Sequence, residues 1–240
     1  MKFLLTKIRL SWYFIFFLAV YLLLAWILRK QKFDSGALTL FSVNSFLYGF
    51  YIAPILGAQK GRIEELHKTV RSEANELFAM ALSLKKLPET LRNKLQKELT
   101  DYIQASTKQK AIAQGEEDYE ELITFCVEYD GKEEEEVQKF LDKLVANQKN
   151  RTQFSMLMSN KVYSNEWIII LMLFSITLGF VLLLDIGDSS ILTIVKALLC
   201  TGLTMLLVIL AKLSTLTHKK ARQIWDPFKK LRDTNFYRID

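Results

Sequence analysis

Apolar positions are concentrated in four long stretches of the chain, and charged positions fill the region between the second and the third. Each apolar stretch is long enough for the roughly 20 helical residues that cross the hydrocarbon core of a membrane. The four predicted spans are residues 10–28, 37–56, 167–184 and 191–211, and the charged block is residues 60–161. This pattern predicts a multi-pass membrane protein with a substantial aqueous part.

The charged block has the periodicity of amphipathic helices. Beyond the second span the same helix is predicted to continue into water, with an apolar stripe of Ile63, Leu66, Val70, Ala74, Leu77 and Ala81. Pro88 predicts a break and the first turn of a new helix, whose stripe is Leu91, Leu95, Leu99, Tyr102 and Ile103. Two further helices are predicted, one from Leu122, Phe125 and Cys126, the other from Val137, Phe140, Leu141, Leu144 and Val145.

Glycines and acidic clusters mark the limits of these helices. Gly115 is predicted to end the polar stretch 104–114, and Asp130-Gly131 to form a turn. The acidic clusters at residues 116–121 and 133–136 lack the alternating oxygen ligands of calcium loops. They are interpreted as solvated helix starts, where negative charge is favourable, and no metal site is predicted.

Strand signals are nearly absent, so the predicted fold class is all-α. Four transmembrane helices are expected, with a helical cytoplasmic bundle between the second and the third. The predicted domains are an N-terminal transmembrane hairpin (1–58), a helical cytoplasmic region (59–165), a C-terminal transmembrane hairpin (166–212) and a basic cytoplasmic tail (213–240).

The distribution of Lys and Arg predicts the orientation of the spans. The connection at residues 185–190 has neither, whereas the tail has eight: Lys212, Lys219, Lys220, Arg222, Lys229, Lys230, Arg232 and Arg238. The tip of the second hairpin is therefore predicted outside, with both termini in the cytoplasm. The first connection fits less well, because its cations equal in number those before the first span; they are Arg29, Lys30 and Lys32 against Lys2, Lys7 and Arg9.

Lys196 lies within the fourth span, close to its predicted outer end. Two interpretations are open: the side chain extends to the headgroups, which is favoured, or it lines a polar cavity. Cys126 and Cys200 are interpreted as inert packing residues.

No catalytic arrangement is found in the sequence. His67 and His218 are the only histidines, and no zinc-protease, phosphate-loop or nucleophile-elbow motif occurs. The net charge of +6 comes from the tail and the N-terminal flanks, which suits anionic lipid headgroups, while the central block is slightly acidic. The chain is therefore predicted not to be an enzyme, to bind no cofactor and to bind no nucleic acid.

The second span is unusual because it contains Asn44, Ser45 and Gly49 among its aromatic residues. Its segment Ser45-Phe46-Leu47-Tyr48-Gly49-Phe50-Tyr51-Ile52 resembles the pore segment of the bestrophins, and the order of spans and helical block is similar to that of their bacterial relatives. Further similarity is seen in Arg62 with residues 71–77, in Leu87-Pro88 with Leu99 and Tyr102, and in Trp225-Asp226-Pro227-Phe228.

The resemblance implies an apolar neck around the axis of a pentamer, formed by Phe46 and Phe50 with Ser42 one turn before. Ser45 and Gly49 are secondary candidates on the same segment. The chain differs from the family pattern at Ser42, where an aliphatic residue is usual, and at Ala58-Gln59-Lys60, where the family has Arg-Trp-Trp. The acidic calcium clasp of the animal members has no counterpart in the basic tail.

The leading hypothesis is a homo-oligomeric ion channel of the bacterial inner membrane. Its expected partners are other copies of the chain, the lipid bilayer and inorganic ions, and the helix from Arg62 to Leu84 would form a cytoplasmic vestibule. The chemistry of the second span alone also allows close helix packing as the role of its small and polar residues. The alternative hypothesis is therefore a non-conducting membrane scaffold or regulator whose cytoplasmic helices bind a partner.

Overall fold

The computed structural model describes residues 8–107, 112–185, 187, 189–218 and 223–233. Its helices, in chain order, are α1 (Leu10–Ile27), α2 (Ser35–Leu84), α3 (Glu89–Thr107), α4 (Ile112–Val127), α5 (Glu134–Ser159), α6 (Ser164–Leu183), α7 (Ser190–Ser214), a 3-10 turn (Gln223–Trp225) and α8 (Asp226–Asp233). The described residues contain no strand; Gln31 and Leu184 form an isolated bridge.

Four helical stretches of the described residues are long and apolar enough to cross a membrane, and each overlaps one of the predicted spans. They are α1, α2, α6 and α7, of which α2 is the least apolar. Pro54 lies inside α2 without ending it, as is tolerated where neighbouring helices support the backbone. The predicted all-α fold class with four spans is confirmed.

The chain divides into two compact units, and the one called the membrane unit here comprises Met1–Ile63 and Lys161–Ala221. In this unit α1 packs along α7, and the Tyr21 and Thr204 hydroxyls form a hydrogen bond of 2.6 Å. A second cluster joins α2 to α6 and α7 through Tyr48, Ile52, Ile170 and Leu210. Side chains of several helices are therefore needed to bury the inner face of each span.

The other unit comprises Glu64–Asn160 and Arg222–Asp240. Its core has fully buried side chains from four helices: Leu66, Leu77, Met80, Leu84, Leu95, Leu99, Tyr119, Leu122, Phe140 and Leu144. The short α8 packs on α3, and Trp225 lies between Phe154 and Phe228, at ring-centroid distances of 5.1 and 5.9 Å. The four domains predicted from the sequence (1–58, 59–165, 166–212 and 213–240) were defined by their expected membrane or aqueous environment. This division stays a prediction.

Most predicted helix limits agree with the structure. α2 ends at Leu84 and α3 begins at Glu89, directly after Pro88, and the predicted stripe of α3 is buried throughout. α5 begins with Glu134, Glu135 and Glu136 in its first turn, as expected for a helix start. Residues 108–111, within the predicted polar stretch, lie outside the described residues.

Three predictions in the charged block were wrong in detail. Gly115, predicted to end the polar stretch 104–114, marks no boundary, because α4 runs from Ile112 through it to Val127. The cluster at residues 116–121 is therefore inside α4, and its Tyr119 is completely buried. Val145, expected in the core stripe of α5, is 57% exposed. In each case contacts with neighbouring helices, rather than the local sequence pattern, decide the outcome.

Candidate pore-lining site

The inner face of α2 is fixed by contacts with α6. Tyr48 and Ile52 are each 3% exposed, and the Tyr48 ring lies 6.2 Å from that of Phe174. The Asn44 side-chain amide donates to the Thr177 hydroxyl at 2.8 Å and to the Leu173 carbonyl at 3.1 Å. Because a polar side chain in a span needs such partners, Asn44 holds this face against α6.

The three predicted pore residues lie together on the opposite face. Phe46 is 69% and Phe50 is 70% exposed, and their stacked rings have centroids 6.0 Å apart. Ser42 is also exposed, and its hydroxyl donates to the Leu38 carbonyl at 3.0 Å, within the same helix. α2 therefore presents an outward face with one hydroxyl and two aromatic rings.

The secondary candidates flank this face. Gly49 is exposed, and a Cβ added to it would meet no atom within 4 Å. Ser45 is half-buried, and its hydroxyl has no hydrogen-bond partner among the described residues. Gly49 thus shares the outward face, whereas Ser45 lies at its edge, towards the packed side.

Where the family pattern has Arg-Trp-Trp, this chain forms a local polar contact. The guanidinium of Arg62 donates to Gln59 Oε1 at 2.7 Å and to the Ser214 carbonyl at 3.3 Å. Gln59 and Arg62 are 6% and 4% exposed, and Ser214 is the last residue of α7. A cation at a helix C-terminus is favourable, so this arginine ties α2 to α7. This role of Arg62 was not predicted from the sequence, in which Arg62 was noted for the family resemblance and as the start of the vestibule helix.

Two lysines of α7 donate to backbone carbonyls at the ends of neighbouring segments. Lys196 Nζ donates to Leu184 at 2.9 Å, and Lys212 Nζ donates to Ile8 at 2.6 Å. Both residues are less than 10% exposed. Lys196 therefore extends toward the end of α6, and Lys212, counted above with the basic tail, belongs to the packed end of α7.

A buried polar cluster in the other unit was not found from the sequence. Tyr102 donates its hydroxyl to a Glu73 carboxylate oxygen. The guanidinium of Arg151 lies over the Tyr102 and Tyr119 rings, 5.3 and 3.9 Å from their centroids. The cluster thus joins four helices: α2 contributes Glu73, α3 contributes Tyr102, α4 contributes Tyr119 and α5 contributes Arg151.

Burial dominates the electrostatics of this cluster. It raises the pKa of the Glu73 carboxyl above its usual value of 4.5, and the Tyr102 hydroxyl and the Arg151 charge oppose that rise. Burial likewise raises the pKa of Tyr119 to about 12. The Tyr119 hydroxyl donates to the Leu144 carbonyl at 2.7 Å and accepts from Asn147 at 3.2 Å. These contacts make the cluster an internal polar network of the helical unit.

Comparison with known proteins identifies a family for this chain. A model of the bestrophin-like domain matches residues 11–229. Searches of the curated proteins and of the solved structures gave no match. The matched range includes all four spans and the helical block between them, and such proteins are in general not enzymes. The chain belongs to the bestrophin-like family of membrane proteins.

Proposed function

We propose that the protein is an ion channel in which several copies of the chain surround a common axis. In this proposal α2 lines the axis, with Ser42, Phe46 and Phe50 facing it. The observation that carries the proposal is the outward face of α2, where two stacked and largely exposed phenylalanines lie opposite the Asn44 contact with α6. The resemblance of the chain to the bestrophins implies five copies.

The side chains of this face suit an apolar constriction. Rings of apolar side chains gate ions by excluding water from a narrow passage. Repetition of Phe46 and Phe50 around an axis gives two such rings one helical turn apart. The Ser42 hydroxyl lies in the turn that precedes Phe46. The permeant species in this proposal is an inorganic ion, and no cofactor takes part.

Small residues on the same face favour contact between copies. Gly49 and Gly57 are exposed, and neither has an atom within 4 Å of an added Cβ. Small residues allow membrane helices to approach closely, and this approach drives their association. The outward face of α2 therefore suits a second copy as its neighbour.

The proposed orientation places both termini in the cytoplasm of a bacterial inner membrane. It rests on the absence of Lys and Arg from residues 185–190 and on their abundance in the tail. Protease protection of a tag added after Asp240, in right-side-out and inverted vesicles, tests this orientation.

Ion flux from liposomes tests the channel. Purified protein reconstituted in vesicles is expected to dissipate an ion gradient, and Phe46→Ala or Phe50→Ala is expected to increase the flux because each widens the neck. Phe16→Ala is the matched control, since Phe16 is 61% exposed but lies on α1. Equal effects at all three positions would contradict the assignment of the neck.

The oligomeric state separates the channel from the scaffold. Light scattering in detergent is expected to give the mass of several copies of the chain, as a ring requires. A monomer or dimer without flux under any ion gradient, and with a stably bound protein partner, would favour the non-conducting scaffold.

A further inference from the structure

A groove in the membrane unit lies between the end of α1 and the start of α7. Its lining residues are Ala25, Trp26, Lys30, Ser190, Thr193 and Ile194, and its volume is about 430 Å³. None of these residues belongs to the outward face of α2. The groove is therefore separate from the proposed neck.

One side of the groove is apolar and exposed. Trp26 is 90% and Ile194 is 50% exposed, and both lie on helices that are long and apolar enough to span a membrane. Exposed apolar side chains on such helices contact acyl chains, and Trp is enriched where acyl chains meet headgroups. This side of the groove therefore opens to lipid at the headgroup boundary.

The other side of the groove is polar and cationic. Lys30 Nζ donates to the Gly187 carbonyl at 3.3 Å, which holds the ammonium at the rim. From inside α7, Lys196 Nζ donates to the Leu184 carbonyl at 2.9 Å. Two ammonium groups thus contact one short backbone segment beside the Ser190 and Thr193 hydroxyls.

The neighbouring residues add positive charge. Arg29 and Lys32 flank Lys30 and are exposed. Two carboxylates of the described residues act as local caps: Asp34 accepts from the Ala37 amide at 2.7 Å, and Asp185 accepts from the Gly187 amide at 3.0 Å. These two carboxylates therefore accept from backbone amides, and Arg29 and Lys32 add positive charge next to Lys30 in the chain.

This arrangement also accounts for an anomaly of the sequence. The connection after α1 has as many cations as the segment before α1, so they do not serve to orient the first hairpin. A cationic rim above an apolar wall is complementary to a lipid with an anionic headgroup. Each Lys or Arg near such a surface strengthens the attraction to acidic lipid.

We propose that this groove binds one acidic phospholipid. The phosphate lies at Lys30 and the hydroxyls of Ser190 and Thr193, and the acyl chains lie along Trp26 and Ile194. The charge of Lys30 selects acidic over zwitterionic headgroups, whereas Trp26 contributes to the binding of both. The proposal does not depend on ion conduction.

Native mass spectrometry tests the proposal, with the purified protein in detergent supplied with equal amounts of phosphatidylglycerol and phosphatidylcholine. Wild type is expected to retain phosphatidylglycerol preferentially. Lys30→Gln is expected to lower that preference about fivefold, from the attraction of one lysine to acidic lipid. Trp26→Ala is expected to reduce retention of both lipids and to leave their ratio unchanged.

Lys161→Gln is the matched control, because Lys161 is an exposed lysine beside the opposite end of α6. It is expected to leave the lipid ratio unchanged. Equal retention of the two lipids by wild type, or equal loss of preference in Lys30→Gln and Lys161→Gln, would overturn the proposal. Binding of inorganic phosphate alone, at the concentration used for lipid, would overturn the assignment to a phospholipid. Unchanged elution on size exclusion shows that each variant is folded.

Discussion

The side-chain amide of Asn44 donates to the hydroxyl of Thr177 at 2.8 Å, and this contact fixes the rotation of α2 against α6. Phe46 is two residues further along the helix, about 200° around its axis. The outward direction of the phenylalanines is therefore a consequence of the inward direction of the asparagine. A polar residue that would be costly in lipid thereby determines which apolar residues face outward.

Loss of this contact is expected to destabilise the membrane unit. Asn44→Ala is expected to cost about 1 kcal/mol, as found for hydrogen bonds between membrane helices. Ser42→Ala is the control, because the Ser42 hydroxyl bonds only to Leu38 of its own helix among the contacts seen. Thermal unfolding in detergent, followed by circular dichroism, measures both. Equal melting temperatures for the two variants would contradict the role of Asn44.

Gly49→Leu is expected to impair association of copies without disturbing the fold of one chain. An added side chain meets no atom within 4 Å in the chain itself, whereas a neighbouring copy close to α2 would be displaced. Gly202→Leu on α7 is the control, since Gly202 is also exposed and equally uncrowded. Light scattering in detergent measures the oligomer, and loss of association in both variants, or in neither, would argue against α2 as the contact.

The buried Glu73 is expected to make stability depend on pH. Its pKa is raised in the folded protein above 4.5, so the folded state binds more protons than the unfolded state between those two values. Stability is then highest below pH 4.5 as far as this group is concerned, and decreases as pH rises through the folded pKa. Glu73→Gln is expected to flatten this part of the profile and to be more stable than wild type at pH 8.

Melting temperatures of the full-length protein between pH 4 and pH 8 measure the profile. Glu120→Gln on α4 is the control, because Glu120 is exposed. The role of Glu73 would be refuted by a wild-type profile that keeps its slope when Glu73 is replaced.

Arg151→Gln is expected to shift the same profile to higher pH. The Arg151 charge lowers the pKa of Glu73, so its removal raises that pKa further and leaves a buried carboxylate at pH 8 without this stabilisation. The expected cost at pH 8 is about 1–3 kcal/mol. Lys149→Gln removes an exposed charge from the same helix and is expected to change little. Identical pH profiles for Arg151→Gln and Lys149→Gln would contradict the coupling.

The Cys126 thiol is expected to be unreactive in the folded protein. Burial raises its pKa to about 12, and the thiolate is the reactive species. In a Cys200→Ser background, maleimide labelling at pH 8 is expected only after denaturation. Val127→Cys, introduced with Cys126→Ser, is the control at a position where the side chain is 65% exposed, and it is expected to label at once. Rapid labelling of Cys126 in the native protein would be inconsistent with this packing.

Local patterns were sufficient for the helices and the spans. The apolar lengths defined α1, α6 and α7, and Pro88 marked the break between α2 and α3, because these signals lie within a few adjacent residues. Gly115 shows the limit of local reasoning. A glycine weakens a helix by only about 1 kcal/mol, and α4 is supported by the buried Tyr119 and Leu122.

The polar contacts between helices could not be predicted from the sequence. Glu73 and Tyr102 are 29 residues apart, and Asn44 and Thr177 are 133 apart, so no spacing rule connects them. The family resemblance named Phe46 and Phe50 as candidate pore residues, but it did not indicate that Asn44 lies on the opposite face of α2. Lys212 was grouped with the tail because its charge was visible in the sequence and its contact with Ile8 was not.

The packing of Trp225 and Phe228 against Phe154 has a consequence for biosynthesis. The unit made of Glu64–Asn160 and Arg222–Asp240 comes from two segments of the chain, and the last two spans, α6 and α7, are encoded between them. A ribosome therefore completes α3, α4 and α5 well before it makes the residues that cover Phe154. Until the final hairpin has been inserted and α8 has been synthesised, Phe154 lacks its aromatic neighbours. During this interval the nascent bundle exposes an apolar surface to which a chaperone can bind.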